Sequence, residues 1–332
     1  MREVDAWITR GDGGLERARL PVPEPRGDEL VVDVLACGVC RTDLHVIEGD
    51  LPPHRTPVVP GHQVVGRVAA TGPGVRRTRV GDVVGIAWLR STCGSCVWCR
   101  TGRENLCPGA TFTGWDADGG YAEVATVSES FAYALPADTD PIAVAPLLCA
   151  GIIGYRALRR ANLPPGGHLG IYGFGSSAHL TARLAMAAGA TVSAMTRGEA
   201  NRALARELGA AFVGDERARP PEPLDAAIVF APAGELVPVA LEATARGGTV
   251  VLAGIHMTDV PAMTYVDHLF LERDLRTVTA NTRADGDEFL RLAHRLDLRP
   301  STTPYPFDRA PEAVDALLGG RASGSLVLAR DA

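Results

Sequence analysis

Four thiols crowd into one short stretch of this chain, Cys93-Gly94-Ser95-Cys96-Val97-Trp98-Cys99-Arg100-Thr101-Gly102-Arg103-Glu104-Asn105-Leu106-Cys107, with gaps of two, two and seven residues. A loop of that length can wrap four thiolates around a tetrahedral Zn²⁺ at about 2.3 Å each, whereas a strand or helix interior would point them apart. The alternative, four unpaired thiols, leaves reactive sulfur exposed with nothing gained. A metal with four protein ligands has no open position, so this one would hold a loop and do no chemistry. The other candidates are scattered through Ala36-Cys37-Gly38-Val39-Cys40-Arg41-Thr42-Asp43-Leu44-His45, Gly61-His62-Gln63 and Leu148-Cys149-Ala150-Gly151. Taken singly, such a Cys or His is more often core than ligand.

A second kind of chemistry is offered by His168-Leu169-Gly170-Ile171-Tyr172-Gly173-Phe174-Gly175-Ser176-Ser177-Ala178, an apolar strand running into Gly-x-Gly-x-x-Ala and then a helical stretch. Gly173 and Gly175 permit a tight turn and the approach of a pyrophosphate, Ser176 and Ser177 open the helix whose N-terminus receives it, and Ala178 allows close helix–strand packing. An NAD enzyme places an acid about twenty residues further on, for the ribose diol. Here the chain reads Val192-Ser193-Ala194-Met195-Thr196-Arg197-Gly198, and no acid stands there. Thr196 followed by the guanidinium of Arg197 suits a 2′-phosphate, so NADP(H) is expected. NAD(H) is the alternative, with Glu199 near and Arg197 merely solvated.

These groups need elements to position them. Up to about residue 150 the chain reads as short strands, among them Glu29–Ala36, Gln63–Thr71 and Asp82–Ala87, punctuated by turns such as Thr71-Gly72-Pro73-Gly74. That pattern predicts a barrel-like, mostly antiparallel unit. Over 151–280 apolar runs alternate with Ala- and Leu-rich helical stretches: His168–Tyr172, Ser177–Ala188, Thr191–Thr196, Glu199–Leu208, Leu224–Phe230, Leu236–Ala245, Thr249–Gly254 and Leu275–Ala280. This is the rhythm of βαβ units on a parallel sheet. The stretches Asp285–Leu296, Ala310–Leu318 and Ser325–Ala329 read as helices and a last strand, so 281–332 is expected to return to the first domain.

Length and composition agree with two domains, since 332 residues exceed one typical core. Lys and Arg number 33 against 39 Asp and Glu, a net charge of −6 that offers no basic footprint for nucleic acid or an anionic membrane. The opening residues are charged and no window approaches a membrane span, so a cytoplasmic protein with reduced thiols is expected.

In this order, Gly38-Val39-Cys40-Arg41-Thr42-Asp43-Leu44-His45, Gly61-His62, Gly81-Asp82-Val83-Val84-Gly85, the cysteine stretch 93–107, Gly119-Gly120-Tyr121-Ala122-Glu123, Cys149-Ala150-Gly151 and the glycine turn form a specific set. The chain resembles, essentially end to end, the zinc-containing alcohol dehydrogenases of the medium-chain dehydrogenase/reductase superfamily, in particular the yeast-like and bacterial propanol-preferring type. The resemblance implies a GroES-like catalytic domain over 1–150, a doubly wound Rossmann domain over 151–280, and a homo-oligomer, dimer or tetramer. It implies reversible hydride transfer between NAD(P) and a primary or small secondary alcohol and its aldehyde or ketone.

By the same resemblance Cys40, His62 and Cys149 hold a catalytic zinc with its fourth position open, giving two zinc ions per chain. Thr42 falls where the family has the hydroxyl that accepts the substrate proton, and His45 where many members pass it to solvent through the nicotinamide ribose. Asp43 looks like the carboxylate that orients His62. Trp88 resembles a wall of the substrate pocket, and Leu51 stands where relatives often carry a second tryptophan, which implies a roomier apolar pocket for medium-length or benzylic alcohols. One residue departs from the family: Gln63 replaces the usual Glu, which makes the metal's surroundings less negative. Cys37 reads as a packing residue. Two rival readings are a zinc-free quinone or enoyl reductase of the same fold, which needs none of the thiols, and a non-catalytic dinucleotide-binding protein.

Overall fold

The computed structural model describes residues 2–51, 54–321 and 324–330. The chain forms two compact units. The first takes the residues up to Cys149, Ala280–Arg291 and those from Arg299 onward; the second takes Ala150–Thr279 and Leu292–Leu298. The sequence predicts one uninterrupted return after 280, yet Leu292–Leu298 belongs to the second unit. There Arg183 of the same unit donates to the carbonyl of Asp297.

In the first unit β1 (Glu3–Ile8) and β2 (Glu16–Pro21) make an antiparallel hairpin. Then come β3 (Glu29–Val39), α1 (Arg41–Glu48), β4 (Gln63–Thr71), β5 (Val83–Ile86), β6 (Leu89–Ser91), α2 (Val97–Arg100), β7 (Thr111–Phe112), β8 (Val124–Ser128), β9 (Ala132–Ala134) and α3 (Pro141–Val144). The second unit follows with α4 (Ala150–Ala161), β10 (His168–Tyr172), α5 (Ser176–Ala187), β11 (Thr191–Met195), α6 (Glu199–Glu207), β12 (Phe212–Gly214), β13 (Leu224–Val229), α7 (Leu236–Ala243), β14 (Thr244–Leu252), α8 (Tyr265–His268) and β15 (Asp274–Thr277). The chain ends with α9 (Arg283–Arg295), β16 (Thr302–Pro306), α10 (Ala310–Leu318) and β17 (Ser325–Ala329).

β3 organises the first unit. It is apolar and buried along most of its length, and it changes partner as it goes: Glu29–Asp33 pair with β8, while Ala36–Val39 pair with β17. Its register against β4 shifts twice, between Val31 and Val32 and between Val34 and Ala36. Bulges of this kind bend and twist a strand, so one strand serves two sides of a curled sheet ordered β16-β17-β3-β4-β5-β9. Pairing with β17 also carries β3 past the expected end at Ala36 and delivers the chain at Cys40.

The second unit is a parallel sheet ordered β12-β11-β10-β13-β14-β15, with a helix between successive strands except from β12 to β13. Its central strands are buried at all but one position each, as a sheet covered on both faces requires. Strand order reverses between β10 and β13, where such sheets bind ligands outside their carboxyl ends. β14 starts at Thr244, five residues earlier than the sequence suggests, because Leu224 pairs with Thr244 before the register jumps to Ala226 and Thr249. Arg246, Gly247 and Gly248 lie within β14 at this irregularity. Among the described residues no single helix is long and apolar enough to cross a membrane.

Candidate active site

Cys40 sits where β3 gives way to α1, a helix that the sequence reading left undrawn. Its backbone is extended and its N–H donates to Asp43 Oδ2 at 2.8 Å, so Asp43 caps the helix from the third position. Asp43 Oδ1 lies 3.0 Å from Nδ1 of His62, and Tyr121 donates its hydroxyl to Oδ2 at 3.4 Å. One carboxylate thus stops the strand, starts the helix and fixes an imidazole. The chain reaches His62 through Gly61 at φ +94°, where an added Cβ would stand 2.4 Å from Tyr121; only glycine allows that turn.

With Nδ1 engaged, His62 turns Nε2 toward Cys40 Sγ, 3.6 Å away. Cys149, after the 3₁₀ turn Ala145–Leu148, completes the group: the ligand atoms of Cys40, His62 and Cys149 lie within 4.8 Å of one another. The hydrogen bond with Cys149 and burial push the Cys40 thiol well above its ordinary range. Burial opposes an imidazolium at His62, but Asp43 and Cys40 override it and raise the group to about 10. Two thiols and an imidazole gripped from behind by a carboxylate fit zinc with a fourth position left over.

Gln63 is buried beside this group, packed so close to Gly38 that a Cβ there would meet its amide at 2.8 Å; its Nε2 has no hydrogen-bond partner. Thr42 and His45 lie three residues apart on α1, hence on one face of it. Thr42 is buried, and the half-buried His45 contacts Asp50 through Nδ1 at 2.8 Å. Cys37 is fully buried in the barrel core, as a packing residue should be.

Aromatic rings cover one side. Trp88 meets His62 edge-on at 5.0 Å between centroids and stacks on Phe112 at 5.0 Å and Trp115 at 6.0 Å. Trp115 stacks in turn on His54 at 4.1 Å, and His54 contacts Asp116 at 2.6 Å. Phe112, Trp115 and His54 escaped the sequence reading; a lone tryptophan after Gly114 was the available signal.

The sulfur atoms of Cys93, Cys96, Cys99 and Cys107 also lie within 4.8 Å of one another, where ligands at about 2.3 Å from a tetrahedral centre sit roughly 3.8 Å apart. The pairs Cys93–Cys99 and Cys96–Cys99 stand at 3.9 and 3.5 Å. Backbone N–H groups of Ser95 and Cys96 hold the exposed Cys93 thiol down at about 6. The donor set fits a closed zinc site.

At the glycine turn, Gly173 has φ +85° and no room for a Cβ, which would stand 2.8 Å from the Ala231 nitrogen. Gly175 caps α5, and a Cβ there would point into open space. Ser176 and Ser177 are the first residues of α5, whereas Ala178 is wholly buried against the sheet. This cradle fits a pyrophosphate on a helix N-terminus. Thr196, 3% exposed, turns its hydroxyl inward: it accepts from Phe174 N at 3.2 Å and donates to the Arg197 carbonyl at 3.3 Å. Arg197 is exposed and its Nε lies 2.8 Å from Glu216 Oε2. Glu199 is taken up by Arg202 and Arg206 of its own helix.

Comparison with known proteins gives the same picture twice over. Residues 26–137 match the alcohol dehydrogenase GroES-like domain and residues 178–295 the zinc-binding dehydrogenase family. The chain is 56% identical over 335 aligned positions to the probable alcohol dehydrogenase AdhA of Mycobacterium tuberculosis, covering 98% of this chain and 97% of that one. Among solved structures it is similar to acetophenone reductase from Geotrichum candidum in complex with NAD (26% identity, TM-score 0.89, 100% and 98% covered). It is also similar to a zinc-binding dehydrogenase from Sinorhizobium meliloti bound to NADP (28% identity, TM-score 0.88, 99% and 100% covered). The barrel, the parallel sheet, the thiol sets and these matches along the whole chain agree: the chain belongs to the zinc-dependent alcohol dehydrogenases of the medium-chain dehydrogenase/reductase superfamily.

Proposed function

We propose that Cys40, His62 and Cys149 hold the catalytic zinc and Cys93, Cys96, Cys99 and Cys107 a structural one, two ions per chain, and that NADP(H) is used in preference to NAD(H). On this reading 1–150 is the catalytic domain, completed by 281–332 apart from Leu292–Leu298, and 151–280 binds the dinucleotide. The observation that carries it is the convergence of three ligand atoms within 4.8 Å, with the imidazole fixed through its far nitrogen by Asp43.

Bound zinc would supply the Lewis acidity that eases loss of the alcohol proton, and the nicotinamide would carry the hydride. The chain's own groups do the rest. The Thr42 hydroxyl takes the proton, and His45, anchored by Asp50, passes it toward solvent. Asp43 keeps His62 in the tautomer whose Nε2 can be a ligand. Trp88, stiffened by Phe112 and Trp115, makes an aromatic wall suited to benzylic or medium-length alcohols. Gln63, neutral where the family resemblance implies Glu, makes the surroundings of the metal less negative. A cytoplasmic setting, in which thiolate ligands stay reduced, and a homo-oligomer, dimer or tetramer, are part of the same reading.

Alcohol-dependent reduction of each nicotinamide cofactor, measured on protein of known zinc content, tests the proposal. Arg197 offers a guanidinium where only NADP carries a phosphate, and a charge-assisted contact of this kind is worth about 1.5–3 kcal/mol, roughly one to two decades in affinity. The expected result is a higher kcat/KM for NADP than for NAD, and for Arg197→Ala a narrower gap through weaker NADP use. Equal use of both cofactors, unmoved by the substitution, would refute the preference.

A further inference from the structure

β11 and β12 are parallel neighbours in register, Met195 opposite Gly214, and Thr196 N donates to the Gly214 carbonyl at 3.1 Å. Arg197 and Glu216 therefore each stand two residues past the last paired position, at the carboxyl ends of adjacent strands, where their side chains meet at 2.8 Å. Several neighbouring charges have partners of their own. Glu199 accepts from Arg202 and Arg206, Arg202 also donates to the Thr196 carbonyl at 3.2 Å, and Asp215 accepts the Arg217 N–H at 2.9 Å. Asn201 donates to the Arg197 backbone carbonyl at 3.4 Å, and the Arg197 guanidinium pairs with Glu216. The acid missing from the end of β11 in sequence is thus supplied in space by the strand beside it.

We propose that Glu216 is a residue setting cofactor preference: by pairing with Arg197 it holds the guanidinium away from a 2′-phosphate and so weakens the selection of NADP(H) that Arg197 alone would give. The proposal rests on the reading that the end of β11 receives the adenosine ribose. A dianionic 2′-phosphate must take Arg197 from a carboxylate and then lie near that carboxylate; a ribose diol does neither. Because the pair is exposed, with side-chain accessibilities of 78% and 31%, its strength is modest. Exposed pairs contribute up to about 1 kcal/mol, which corresponds to about a fivefold change in affinity.

The experiment measures direct binding of adenosine 2′,5′-bisphosphate and of 5′-AMP to the full-length zinc-replete protein and its variants by calorimetry. Glu216→Gln should bind the bisphosphate about fivefold more tightly with 5′-AMP unchanged, Glu216→Asp should return toward the parent, and the gain should vanish in the Arg197→Ala background. A bisphosphate affinity unmoved by Glu216→Gln but weakened by Arg197→Ala would overturn the role of Glu216 and leave the phosphate reading standing. A parent that favours 5′-AMP, with Glu216→Gln reversing the order, would support Glu216 while refuting NADP preference. Bisphosphate binding that responds to neither substitution would dispose of both, and a gain persisting without Arg197 would refute action through that residue.

Discussion

Cys40→Ser or His62→Ala is expected to purify with one zinc per chain instead of two and to lose at least about three orders of magnitude in kcat. Lewis-acid stabilisation of developing charge is worth several kcal/mol, and about 4 kcal/mol corresponds to a thousandfold in rate. The fold should survive, because β3, β4 and the core they build do not depend on this ion. His62→Ala is the harsher change, since it strips a partner from the buried Asp43, which keeps its bonds from Cys40 N and Tyr121. An unpaired buried group costs about 1–3 kcal/mol, so a modest loss of melting temperature accompanies the loss of turnover. Asp43→Asn should fall between parent and His62→Ala in both zinc retention and rate. Metal analysis beside initial rates decides the matter: two zinc ions retained in Cys40→Ser, or parent-like turnover with one, would remove this group from catalysis.

The parts of this site that could be read from the sequence were those written in short-range spacing. Four thiols within one loop announce themselves because a metal needs them close in space and the loop keeps them close in sequence. The glycine turn is legible for the same reason, a strand, a tight turn and a helix being consecutive. What stayed hidden depends on strands arriving side by side. Asp43 could be read as a partner of His62, and no spacing says that it also caps a helix; that follows from β3 pairing with β4, which sets Gly38 opposite Gln63. Glu216 reaches Arg197 only through the β11–β12 register. The stack of Trp88, Phe112 and Trp115 needs β6 paired with β7, two strands too short to show a pattern. The helix α1 was missed because Cys40 is a poor cap by type and its role is taken over by the acid three residues on.

Cys96→Ala is expected to act on stability before it acts on chemistry. The stretch 93–107 has little else to hold it: α2 is one turn long with no buried residue, and the 3₁₀ turn Glu104–Leu106 buries Glu104 and Asn105, both polar. Such a loop cannot offset the conformational entropy of ordering its backbone by apolar burial, so the metal must do so, as in small domains that are unfolded without zinc. The lobe in turn fastens part of the first unit. Glu104 accepts from the backbone and guanidinium of Arg283 at 2.6–2.9 Å, and that guanidinium lies 4.5 Å over the Phe131 ring. Burial works against the Glu104 carboxylate, yet Arg283 holds it below the usual carboxylate range. Opening the lobe would free this pair and remove the acceptor of the Arg283 N–H at the start of α9. A loss of about 3–5 kcal/mol lowers the melting temperature by roughly 10 °C in a domain of this size. We therefore expect Cys96→Ala to contain one zinc, to melt roughly 10 °C below the parent, and to become sensitive to proteolysis within 93–107. The molecules still folded should turn over alcohol, because Cys40, His62 and Cys149 are untouched. A Cys96→Ala protein as heat-stable as its parent would show that the lobe folds without its metal, whereas immediate loss of turnover with an unchanged melting temperature would mean that the four-thiol ion takes part in the reaction.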